Sequence, residues 1–157
     1  YACMGVSSAG MKEEQYTKMT YGFTLALANE LYHMNPEMTF NYVSGEGTDS
    51  SEKGRSMWAR VKGKTENDLL KIGFKQAFMF RPGGIIPLKG VLPSSKLYRR
   101  LIKYLMWLLI LMKKLFPKSI VDTTQIGLAM INSTKHGYDK KIIRPFDIQV
   151  LAGKHEK

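Results

Sequence analysis

A chain of 157 residues with 44% hydrophobic content has enough apolar material for one packed domain, which excludes an intrinsically disordered protein. Cys3 is the one cysteine, so an intrachain disulfide and a cysteine-based zinc cluster are excluded, and a reducing, cytoplasmic setting is expected. The formal net charge of +11 admits an anionic partner, but aromatic residues do not alternate with basic ones as a stacking platform requires, which argues against nucleic acid.

In chain order, Tyr1–Val6 is a short apolar run before Ser7, Ser8 and Gly10, and predicts a buried strand ending in a turn. A helix is expected over about 13–33, with Tyr16, Met19, Phe23, Ala26, Leu27 and Leu31 on its apolar face. Asn35-Pro36 stops it, because proline cannot continue the hydrogen-bond ladder. Met38–Ser44 predicts the second strand. Ser50, Ser51 and Glu52 suit the approach to a helix over about 55–72, which Gly73 ends with a left-handed cap. Gln76–Phe80 predicts a third strand, closing on Arg81-Pro82-Gly83-Gly84. Strand and helix alternate with short loops, so the fold class is α/β, with parallel pairing and right-handed crossovers. The strands are nearly continuous apolar runs, as in a sheet covered on both faces.

The segment 96–116 reads as a helix of unusual character. Residues 104–112 are apolar throughout and span about 14 Å as a helix, against about 30 Å of membrane hydrocarbon. Lys96, Arg99, Arg100, Lys103, Lys113, Lys114 and Lys118 flank this centre with no acid among them. Three settings fit such a helix: burial under a substrate lobe, attachment to a membrane surface, or pairing with a partner helix. A last regular helix is expected over Asp122–Ser133, capped by Asp122 or Thr123, then a short strand or turn within Lys140–Val150 and a frayed tail at 154–157. His33, His136 and His155 are too scattered to form a metal site.

Three loops leave the carboxyl ends of the expected strands, where open parallel sheets bind ligands: Gly5-Val6-Ser7, Ser44-Gly45-Glu46 and Arg81-Pro82-Gly83. The block V-S-G…W-A-R-V-K-G-K-T-E-N followed by F-R-P-G resembles the atypical short-chain dehydrogenase/reductases, a branch with NAD-dependent epimerase-like and Tat-interacting oxidoreductase-like proteins. Cys3-Met4-Gly5-Val6-Ser7-Ser8 resembles that family's fourth-strand turn, and Arg60-Val61-Lys62-Gly63 with Glu66 its active-site helix. The likeness spans Tyr1 to about Gly153.

The resemblance implies a Rossmann-like parallel sheet and an NAD or NADP cofactor. It gives Lys62 the role of the lysine that binds the nicotinamide ribose, and Ser44 that of the substrate-orienting serine. Ser44 and Lys62 are then the catalytic candidates, and Gly5, Val6, Ser44, Lys62, Pro82 and Gly83 the cofactor-binding ones. Arg81 is either a substrate-carboxylate ligand or an anchor for its loop. The partners implied are the dinucleotide and a small-molecule substrate whose identity the sequence does not carry.

Trp58 stands where the family has the catalytic tyrosine, and an indole N–H donates but cannot act as a general acid–base. Tyr42 and Tyr98 are candidate substitutes. Two functions follow: an oxidoreductase or epimerase-like enzyme, or a non-catalytic dinucleotide-dependent binding or regulatory protein, peripheral to a membrane through 96–116. The family's Gly-rich pyrophosphate turn is expected upstream of Tyr1, so the chain reads as a carboxyl-terminal fragment. An open edge at Tyr1–Val6 then predicts self-association.

Overall fold

The computed structural model describes residues 1–86 and 119–153. The basic-apolar segment at 96–116, Tyr98 and the tail 154–157 lie outside the described residues. The chain forms two compact units, Tyr1–Arg81 with Gly137–Ile143, and Pro82–His136 with Arg144–Lys157.

The first unit is built on a parallel sheet. Strands β1 (Thr39–Val43), β2 (Gln76–Phe80) and β5 (Ile142–Ile143) lie in the order β1-β2-β5. Thr39 pairs with Gln76 and Val43 with Phe80, so β1 and β2 run level along their whole length. Ala2 adds a parallel bridge beside Tyr42, accepting from the Val43 N–H at 3.1 Å and donating to the Asn41 carbonyl at 2.7 Å. The expected parallel pairing and order of the three segments therefore hold. The expected strand Tyr1–Val6 contracts to this one bridge, because beyond Ala2 the chain lifts off and leaves Cys3, Met4 and Gly5 exposed.

Side chains alternate across the sheet. Phe40, Tyr42 and Met79 share one face and pack with Ala2, Ala28, Leu69 and Phe74. Phe40 stacks on Phe74 at 5.0 Å between ring centroids, and Tyr32 meets Phe74 edge-on at 5.4 Å. Asn41, Phe78, Phe80 and Ile143 are buried as well, which fits near-continuous apolar strands covered on both faces.

The helix expected over 13–33 forms as α1 (Glu13–Thr17), a π turn (Lys18–Gly22) and α2 (Phe23–Met34). The π turn inserts one residue and shifts the buried stripe by one position. Tyr16, Thr20, Thr24 and Ala28 point inward, while Phe23 and Leu27, expected inside, are 56% and 39% exposed. A plain α-helix would have turned Phe23 and Leu27 toward the sheet.

Helix α3 (Met57–Lys71) follows β1. Gly73 ends it with φ +100°, a conformation that costs a glycine little and other residues much. The carbonyl oxygen of Asp49 crosses α3 at Gly63, where a Cβ would stand 1.8 Å from it. Asp68 on α3 takes hydrogen bonds from Lys71, Lys64 and, at 3.0 Å, the Tyr21 hydroxyl of the π turn. The Lys71 hydrogen bond is the first cause holding its carboxyl down at about 2, with Lys64 and Tyr21 adding to it.

In the second unit, β3 (Gly84–Ile86) pairs in parallel with β4 (Ile120–Asp122). Helices α4 (Thr123–His136) and α5 (Pro145–Ala152) pack together. Asp122 caps α4 reciprocally: its Oδ1 accepts the Gln125 N–H at 2.8 Å and Gln125 Oε1 accepts the Asp122 N–H at 3.0 Å. Lys140–Val150, expected as a strand or turn, holds both β5 and α5. Pro145 begins α5, and the Asp147 carboxylate accepts the Arg144 N–H at 3.2 Å.

Gly63→Ala should cost about 2–4 kcal/mol in urea denaturation, because backbone must move to admit the methyl. Gly127→Ala, on α4 where a Cβ would meet no described residue within 4 Å, should instead stabilise by about 0.5–1 kcal/mol. Asp68→Asn should destabilise the protein at neutral pH. Because the folded carboxyl sits below its ordinary 3.8, at about 2, that stability is present above pH 3.8 and fades as pH falls toward 2. The gap between variant and wild-type melting curves should close over that interval.

Candidate functional site at the carboxyl edge of the first sheet

Ser44 is the first residue beyond β1 and Arg81 the first beyond β2. Their backbones continue the sheet: Ser44 N–H donates to the Phe80 carbonyl at 2.8 Å and Arg81 N–H to the Ile143 carbonyl at 2.8 Å. Glu66 and Lys62 come from α3, one turn apart. Glu66 is fully buried and Arg81 is 4% exposed. Arg81 Nε donates to both Glu66 carboxylate oxygens at 3.1 Å, and its Nη2 adds a further bond to Oε2 and one to Ser50 Oγ at 2.6 Å. A buried acid needs such a partner, because an uncompensated charge in the interior is costly.

Ser44 Oγ lies within reach of Glu66 Oε1 and of the Phe80 carbonyl, the latter at 3.1 Å. Its single proton goes to the carboxylate, the stronger acceptor. Lys62 Nζ donates to the Ser44 carbonyl. Burial pulls the Lys62 ammonium below the usual lysine range, while the Glu66 charge pulls the other way. An ammonium has three donors, and the Ser44 carbonyl takes one.

The structure brings Ser44 and Lys62 together. Gly5 and Val6 follow Ala2, which runs parallel to Tyr42, so they leave the sheet at the same edge as Ser44. Among the described residues, a Cβ on Gly5 or Gly45 would meet nothing within 4 Å. Pro82 and Gly83 belong to the second unit. There a Cβ on Gly83 would stand 2.4 Å from the Ser119 carbonyl oxygen, so protein backbone already fills the space that glycine leaves. Arg81 takes the anchoring role of the two expected for it, since its guanidinium is spent on Glu66 and Ser50.

Trp58 is half-buried under the loop that leaves β1, where a Cβ on Gly47 would lie 3.3 Å from its Cη2. Tyr42 is no substitute proton donor. It is wholly buried in the core. Burial first, then Tyr16 and Glu66, push the phenol above its usual range.

Sequence reasoning missed the hub of the loop between Ser44 and α3. The Asp49 carboxylate accepts from the Ser51 hydroxyl at 2.6 Å, the Gly54 N–H at 2.6 Å and the Ser51 N–H at 3.0 Å. These bonds, the Ser51 hydroxyl first, hold the carboxyl below its ordinary range. Asn67 Nδ2 donates to the Ser50 carbonyl at 2.9 Å and to Glu52 at 2.7 Å, and Arg60 Nη1 to the Gly54 carbonyl at 2.8 Å. The signal was the run T-D-S-S-E-K-G, an aspartate followed two residues on by serine and later by glycine, as in an Asx turn.

No protein-family model matches this chain, and no curated protein matches it. Among the described residues, no helix is long and apolar enough to cross a membrane.

Glu66→Ala should lower stability by about 3–5 kcal/mol, since it strands the Arg81 charge in the interior. The double variant Glu66→Leu/Arg81→Met should recover most of that loss. Urea denaturation of the two variants and wild type checks both values.

Proposed function

We propose that this chain binds NAD or NADP through a Rossmann-like, short-chain dehydrogenase/reductase-like sheet, with Lys62 as the charged donor to the nicotinamide ribose. The observation that carries the reading is Lys62 Nζ on the carbonyl of Ser44, at the carboxyl edge of a parallel α/β sheet, where such folds bind ligands. The residues fit a dinucleotide. Among the described residues, Lys62 is held by one acceptor and keeps two donors for ribose hydroxyls, and nothing lies within 4 Å of a Cβ on Gly5 or Gly45. Bound there, a nicotinamide would supply hydride chemistry.

Two observations favour the binding or regulatory form of this reading over the oxidoreductase or epimerase-like form. Trp58 stands where the resemblance puts the family's tyrosine, and its indole cannot accept a proton in exchange for one given. The Ser44 hydroxyl is directed at Glu66, so it is not free to orient a substrate. Lys62 would then fix the ribose, and Trp58 would cover the loop without moving a proton.

A fluorescence titration of the full-length chain with NADH and NADPH tests the proposal. Wild type should bind at least one of them, and Lys62→Ala should weaken binding about tenfold by removing a charged hydrogen bond. Equal affinities would take Lys62 out of the site. Trp58→Tyr should leave binding intact and raise NAD(P)H oxidation with carbonyl substrates above the wild-type level. Fast turnover by wild type, unchanged in Trp58→Tyr, would favour the enzyme instead.

A further inference from the structure

Glu66 and Lys62 stand four residues apart on α3, close enough for an ion pair along one face of a helix. They do not form one. Arg81 holds both Glu66 oxygens, and Oε1 also receives the Ser44 hydroxyl. The carboxylate is full, and Lys62 turns instead to the Ser44 carbonyl. Ser44 is fixed at each polar atom: its N–H on Phe80, its hydroxyl on Glu66, its carbonyl under Lys62.

We propose that Glu66 is the positioning residue for Lys62, acting through Ser44, with Arg81 occupying the carboxylate so that the ammonium is presented at the sheet edge rather than drawn into a helix ion pair. Its consequence for cofactor rests on the dinucleotide reading above; the placement of Lys62 does not. Lys62 has two other settings available, the Glu66 carboxylate and open water. The Arg81–Glu66–Ser44 chain removes the first and supplies a neutral acceptor in place of the second. Restrained in this way, the amine pays less ordering entropy when a ligand takes its remaining donors.

The test is the pH dependence of acylation at individual lysines of the full-length chain, read by peptide mass spectrometry, with exposed Lys64 as internal reference. Ser44→Ala leaves the ion pair and its charges intact but opens one acceptor position on Glu66 Oε1, which Arg81 Nε still holds. Lys62 should turn to it, and its midpoint should rise by about half a pH unit. Glu66→Gln removes the charge that favours the ammonium, so the midpoint should fall by about as much. Unfolding would instead move Lys62 up to an ordinary exposed lysine, so a fall in Glu66→Gln separates electrostatic placement from lost structure. If Glu66→Gln does not fold by circular dichroism, Ser44→Ala decides alone. A Lys62 midpoint unmoved in folded Ser44→Ala overturns the proposal, as does a rise in folded Glu66→Gln. An NADH and NADPH titration of the same variants separates the two layers. Shifted midpoints with weakened binding support both. Shifted midpoints with unchanged binding uphold the positioning role and remove the dinucleotide from it.

Discussion

A carboxylate with no exposure to water, Glu66, faces a guanidinium that is 4% exposed, Arg81. Neither charge could stay in the interior alone, so helix α3 and the end of β2 must meet. The same contact fixes the loop after β1, because Arg81 also holds Ser50 and Glu66 receives Ser44. Three elements distant in sequence are thus joined by one ion pair. A hydrophobic pair would fill the same volume. It would not orient Ser44, and it would leave Lys62 without a fixed acceptor.

That arrangement decides what the edge can do. An enzyme of the resembling family needs a free serine hydroxyl and a proton donor of matched pKa near the lysine. Here the serine hydroxyl serves the buried carboxylate, the resemblance puts an indole at the donor position, and the strand tyrosine Tyr42 is sealed in the core. What remains among the described residues is a half-buried ammonium with donors to spare and two glycine loops with no described neighbour within 4 Å of a Cβ. Those parts suit the binding role proposed above. The dinucleotide stays a proposal, carried by the resemblance around Lys62.

Much of the first unit was legible because its signals are local. Gln76–Phe80 is an apolar run bounded by turn residues, and it forms a strand over those residues. Gly73 has the sequence position of a left-handed cap and adopts that conformation. The face of the first long helix was misread, since a π turn at 18–22 is a response to packing that periodicity does not encode. Its result, Thr20 and Thr24 inside with Phe23 outside, inverts the hydropathy signal. Helix α5 was missed although Pro145 with Asp147 is a start signal, because Ile142 and Ile143 just before it read as a strand. At the site, the pairing of Ser44 with Lys62 is what the family resemblance implied. The Glu66–Arg81 bond joins residues fifteen apart, and nothing local in either one indicates the other.

The most direct test of the central claim is hydrogen exchange by mass spectrometry on the full-length chain, with and without saturating NADH or NADPH. Dinucleotide binding at this edge predicts slower exchange in peptides covering residues 44–62, where the Ser44 loop meets α3. The buried strand β2 should change little, as it is already protected. No protection with either dinucleotide, or protection confined to segments away from Ser44 and Lys62, would contradict the account.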